Sequence, residues 1–86
     1  MSPAHYLMES YLPRMQLLER AETIARVRRA AGVVSARGTP VRHVRSLFIP
    51  VDESCFHVFE SGSPEAVREL ALQADLEYER IVEVLQ

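Results

Sequence analysis

Residues 41–60 constrain this chain more than any other stretch. VRHVRSLFIP (41–50) and SCFHVFE (54–60) both alternate in character from residue to residue, and only the link PVDE joins them. Pro50 stops the first run, because proline cannot donate to a strand ladder. Two alternating runs so close together predict an antiparallel hairpin. A hairpin alone buries too little to be stable, so its flanks decide the fold.

Both flanks predict helices. From Met15 onward, Leu17, Leu18, Ala21, Ile24, Ala25 and Val27 recur at helical spacing between Glu19, Arg20, Glu22, Arg26, Arg28 and Arg29. The pattern continues through VVSAR to Gly38, a natural residue just past a helix end, with Pro40 beyond it. After the hairpin, Ser63-Pro64-Glu65-Ala66 has a capping hydroxyl, a proline suited to a first helical turn and an early acid. That second helix runs through Val67, Leu70, Ala71 and Ala74. Outside the helices lie HYLMESYLP (5–13), ended by Pro13, and the closing RIVEVLQ (80–86). Both predict strands.

The expected order is therefore β-α-β-β-α-β in one domain spanning residues 1–86. Right-handed crossovers put both helices on the same face of a four-stranded antiparallel sheet, an α+β, ferredoxin-like arrangement. The other sheet face is left bare. Eighty-six residues bury only part of their surface as a lone chain, so pairing with a second copy is a natural way to bury more. Two such sheets stacked face to face make a dimeric α/β barrel, by analogy with other proteins of this fold.

A net charge of −2 argues against a nucleic-acid or polybasic membrane binder. A single cysteine forms no internal disulfide, and no run nears the length of a membrane span. A soluble, cytoplasmic protein is expected.

Alternation then distributes side chains between the faces. Tyr6, Met8, Ser10 and Leu12 are expected under the helices, as are Val44 with Phe48, Phe56 with Val58, and Val82 with Val84. The bare face would carry His5, Glu9, Tyr11, His43, Arg45, Cys55, His57 and Glu83 among Leu47, Ile49, Phe59, Ile81 and Leu85. Ionisable groups on an apolar floor suit a lined cavity or an interface better than a solvated surface. Cys55 and His57, two apart on one strand face, present sulfur and nitrogen donors that suit nickel, copper or zinc. The plain alternative is a small buried thiol beside an interface histidine. His57 with Glu9 or Glu83 would serve as an acid–base couple in a catalytic reading. Arg45 would be an anion anchor there, or the ion-pair partner of Glu9 or Glu83.

The segment VRHVRSLFIPVDESCFHVFESGSPEAVRELALQADLEYERIVEVL resembles the small actinobacterial nickel-binding, or nickel-responsive, ferredoxin-like proteins. The resemblance rests on Glu9 in a first strand ended by Pro13, the run from Arg45-Ser46 to Asp52-Glu53, and Cys55-Phe56-His57. The helix start Pro64-Glu65-Ala66-Val67 and the final Arg80-Ile81-Val82 complete it. Two positions depart from the family pattern. Val44-Arg45-Ser46 stands where Val-His-Ser is common, and His57 stands where a cysteine can occur. The resemblance implies a homodimer able to bind nickel, with no established catalytic activity. The resulting expectation is a non-enzymatic homodimer holding a divalent transition metal in a cavity on the bare sheet face. His43, Cys55, His57 and Glu9 are the candidate ligands, and Arg45, Tyr11 and Glu83 the candidate contacts for a bound molecule. The alternative is a dimeric α/β barrel enzyme or small-molecule binder using His57, Glu9 and Arg45.

Overall fold

The computed structural model describes residues 3–13 and 18–85. Strand β1 spans Ala4–Tyr11, helix α1 Arg20–Ala36, β2 Val41–Ile49, β3 Ser54–Ser61, α2 Pro64–Gln73 and β4 Arg80–Val84. The order matches the expectation. The start of the first helix at Met15 falls on residues 14–17, which lie outside the described residues. The strands form one antiparallel sheet in the order β2-β3-β1-β4. With α1 and α2 on one face, the architecture is the ferredoxin-like α+β fold.

Local chemistry sets the element ends. Gly38 takes a φ of 94°, and its N–H donates to Ser35 O at 3.0 Å while Thr39 N–H donates to Val34 O at 3.4 Å. That paired closure satisfies the last carbonyls of α1, as glycine just past a helix end predicts. Ser63 caps α2, its hydroxyl accepting from Ala66 N–H at 3.4 Å. The link between β2 and β3 is a short 3-10 turn over Pro50–Asp52, closed by Glu53 in the left-handed region at φ 52°.

Helix α1 buries Val27, Ala30, Ala31 and Val34, at i, i+3, i+4 and i+7, and α2 buries Ala66, Val67, Leu70 and Ala71. These are mostly small side chains, so the bulk of the core comes up from the sheet. Tyr6, Met8 and Phe59 supply it, all buried.

That demand for bulk corrects the expected faces of three strands. Phe59 and His57 are wholly buried beneath the helices, and Cys55 nearly so, whereas Phe56 and Val58 face the bare side. The register is decisive: Phe59 pairs with Tyr6, His57 with Met8 and Cys55 with Ser10, so these share one face. In β4, Ile81 pairs with Met8 and Glu83 with Tyr6 on the helix side, and Val82 and Val84 lie on the bare side. In β2 the alternation itself breaks. A bulge between His43 and Arg45 adds one residue, so His43 pairs with Phe59 but Arg45 with Val58. His43 and Ser46 therefore share the helix side, while Arg45 and Leu47 remain on the bare face as expected. The first strand keeps its expected phase.

Candidate functional site

Three of the four candidate metal ligands meet beneath the helices. The bulge turns His43 inward one position early, and the register lines up Ser46 with His57 and Ser10 with Cys55. A chain of polar contacts follows. His43 Nε2 lies 2.8 Å from Ser46 Oγ, Ser46 Oγ lies 2.6 Å from His57 Nδ1, and His57 Nε2 lies 3.5 Å from Cys55 Sγ. At its outer end Arg28 Nε donates to His43 Nδ1 at 3.4 Å. Arginine only donates, so the direction of the whole chain is set. His43 Nε2–H donates to Ser46, the Ser46 hydroxyl donates to His57 Nδ1, and His57 Nε2–H points at the cysteine sulfur.

Burial tunes these groups. It drives the His57 pKa down to about 4, and the neighbouring His43 adds to the effect. His57 is thus a neutral imidazole at ordinary pH. The His43 pKa is lowered by burial and then by the Arg28 charge. Burial raises the Cys55 thiol, with Arg20 pulling weakly the other way. Cys55 is therefore a protonated thiol in the free protein.

Beside Cys55 and His57 lies a cavity of about 240 Å³ whose lining includes Ser10, Thr23, Arg26 and Glu77. The Arg26 guanidinium is anchored there by the carbonyls of Ala74 and Asp75. Ser10 is 5% exposed, and its Oγ is a buried polar atom with no hydrogen-bond partner. Such an orphan inside a cavity wall marks a place where something else supplies the contact.

Glu9 is not part of this site. It sits on the bare face, where its carboxylate accepts from Arg80 Nε at 2.9 Å. The expected acid–base couple of His57 and Glu9 is therefore split by the sheet, and Glu9 pairs with Arg80 rather than Arg45. Arg45 lies on the bare face beside Val58. Glu83 is an exposed residue on the edge strand, on the helix side. Of the candidate contacts for a bound molecule, only Tyr11 borders the cavity, and it does so from the rim, 61% exposed. Sequence reasoning passed over Ser46 and Ser10. Ser10 carried a signal, as the one small polar side chain among Tyr6, Met8 and Leu12. Ser46 carried none without the bulge.

Among the described residues no group of three or more His, Cys, Asp or Glu converges as a full metal cage. The donor pair itself nonetheless fits an ion of the nitrogen- and sulfur-binding class. Donors held at about 2.3 Å for sulfur and 2.0–2.1 Å for nitrogen stand roughly 3.0–3.6 Å apart on one ion. The 3.5 Å between Cys55 Sγ and His57 Nε2 falls in that range. The Cys55–His57 pair would supply two donors to such an ion, from the wall of the cavity.

The rest of the bare face is different in kind. Across it run the rows Arg45–Val58–Leu7–Val82 and Leu47–Phe56–Glu9–Arg80, with Arg42–Glu60–His5–Val84 at one end. Leu47, on the edge strand β2, is 54% exposed. No helix among the described residues is long and apolar enough to cross a membrane.

No protein of curated function matches the chain. A crystal structure of SCO4226 from Streptomyces coelicolor A3(2) superposes with a TM-score of 0.75, covering 94% of this chain and 95% of that one. At 16% identity that likeness speaks for the fold alone. The family described as nickel responsive protein SCO4226-like matches residues 6–84, nearly the whole of the described chain. On that match, the chain belongs to the SCO4226-like family of nickel-responsive proteins.

Proposed function

We propose that this chain is a small, non-enzymatic, cytoplasmic protein that binds a nickel-like divalent ion at Cys55 and His57, and that it works as a homodimer. The observation that carries the metal reading is the 3.5 Å approach of Cys55 Sγ and His57 Nε2 in a cavity wall, in a member of a nickel-responsive family. The site lies under α1, not on the bare sheet face. An ion bound there would be held by a thiolate and a neutral imidazole, and would offer its remaining positions to the cavity.

The protein's own residues set the terms. His57 needs no deprotonation, since burial keeps its ring neutral down to about pH 4. Holding an ion at Nε2 places the ring proton on Nδ1, where it donates to Ser46 Oγ. Ser46 Oγ then accepts from both His57 Nδ1–H and His43 Nε2–H, because Arg28 keeps the His43 proton on Nε2. Cys55 must lose its proton, and its raised pKa makes uptake tighten as pH rises. Calorimetric titration of NiCl₂ into wild type, His57→Gln and Cys55→Ser tests this reading. Each variant should bind more than about tenfold more weakly, as loss of a ligand demands. Equal affinity in all three would sink it.

Dimerisation is supported by the bare face, whose apolar rows have a charged rim. Glu9–Arg80 lies at one side, and Arg42–Glu60 at 3.2 Å with His5–Glu60 at 3.5 Å at the other. A second copy fits it, apolar rows against apolar rows and acids against arginines.

A further inference from the structure

We infer that the cavity beside Cys55 and His57 takes its metal ion together with a small amino- or hydroxy-carboxylate chelator, whose carboxylate is received by Ser10 Oγ and the Arg26 guanidinium. This rests on the metal reading above and goes beyond it. Three observations carry it. The protein's donor set is incomplete: Cys55 and His57 face the cavity, and no third His, Cys, Asp or Glu among the described residues closes the sphere. A divalent nickel ion takes four to six donors in square-planar or octahedral surroundings, so the missing ones come from elsewhere.

A second copy on the bare sheet face cannot supply them, because the cavity lies on the opposite side of the sheet. The cavity, at about 240 Å³, is several times the roughly 30 Å³ that one water takes up in the liquid. It is too large for an ion alone and suits an ion with a few-atom organic ligand.

The third observation concerns polarity. Ser10 Oγ is buried without a partner in that same wall, and Arg26 brings a fixed positive charge held in place by the Ala74 and Asp75 carbonyls. A hydroxyl donor and a guanidinium lining one cavity receive a carboxylate between them. Glu19 and Glu77 stand on the exposed rim. There they favour cations entering and leave the anionic end of the chelate to the interior. One bound group thus completes the coordination sphere, fills the space and satisfies the orphan hydroxyl.

The test uses glycine, the smallest amino-carboxylate chelator, as the probe. Nickel chloride is titrated calorimetrically into the full chain with and without equimolar glycine, and radiolabelled glycine is followed by equilibrium dialysis. The expected result is a gain of about tenfold or more in nickel affinity with glycine, and glycine retained by the protein only when nickel is present. Ser10→Ala should abolish that gain while leaving the affinity for nickel alone unchanged. If nickel alone binds through Cys55 and His57 but glycine weakens its binding or is not retained, the inference falls and the metal reading stands. A full glycine gain in Ser10→Ala also overturns it. If neither form of nickel binds the wild type, the metal reading fails and the inference with it.

Discussion

At the scale of single residues, His57 concentrates the behaviour of this protein. It is wholly buried, accepts from Ser46 and titrates near pH 4 instead of the ordinary 6.5. The unfolded chain therefore binds a proton that the folded one refuses between those values. Stability from this group is complete above pH 6.5 and is lost as pH falls toward 4. The loss should amount to roughly 3 kcal/mol. Urea unfolding at pH values on either side of that window measures it, and His57→Gln should flatten the dependence. A wild-type profile that is flat there would contradict it. Ser10 predicts the opposite kind of effect. Its hydroxyl has no partner, so Ser10→Ala should leave stability unchanged or raise it by about 1 kcal/mol in thermal unfolding.

At the scale of elements, the sequence and the structure agree where local chemistry dominates. The proline stop at residue 50, the Ser63 cap and the Gly38 helix end are all visible in the residue types and all present in the fold. Gly38 supplies the sharpest prediction. With φ at 94°, a side chain there is strained although nothing crowds it, so Gly38→Ala should cost about 1 kcal/mol. The midpoint of thermal unfolding should drop by roughly 4–8 °C.

The faces of the strands were less legible, for physical reasons. Strand β3 is central and apolar on both sides, so Phe56 with Val58 and His57 with Phe59 look equally suited to a core. Only the small residues of α1 and α2 decide it, because they leave room for Phe59 and Met8 beneath them. The bulge at Val44 has no signature in the residue types, yet it brings His43 and Ser46 to His57. Chemistry-bearing residues could be named from the sequence, but not the face that gathers them. Glu9 shows the cost: alternation placed it with His57, and the register put the sheet between them.

At the scale of the whole molecule, the proposed pairing of two copies rests on the bare sheet face. A homodimer through it should scatter light as about 20 kDa, twice the 9.8 kDa of one chain. Val58→Asp, at the centre of the apolar rows, should return the mass to that of a monomer while circular dichroism stays unchanged. A wild type that remains a monomer at micromolar concentration would remove the dimer. The nickel binding proposed at Cys55 and His57 should survive that substitution, because those residues lie across the sheet from Val58.

The bulge in β2 bears on assembly as well as on the site. Strand β2 is a nine-residue sheet edge, the longest strand in the fold, and its outer backbone offers groups to any passing chain. An extra residue at Val44 kinks that edge, and Arg42 and Arg45 flank the kink. An irregular, charged edge cannot zip onto a copy of itself to grow a continuous sheet. The residue that turns His43 inward thus also makes this edge a poor template for fibre-like aggregation.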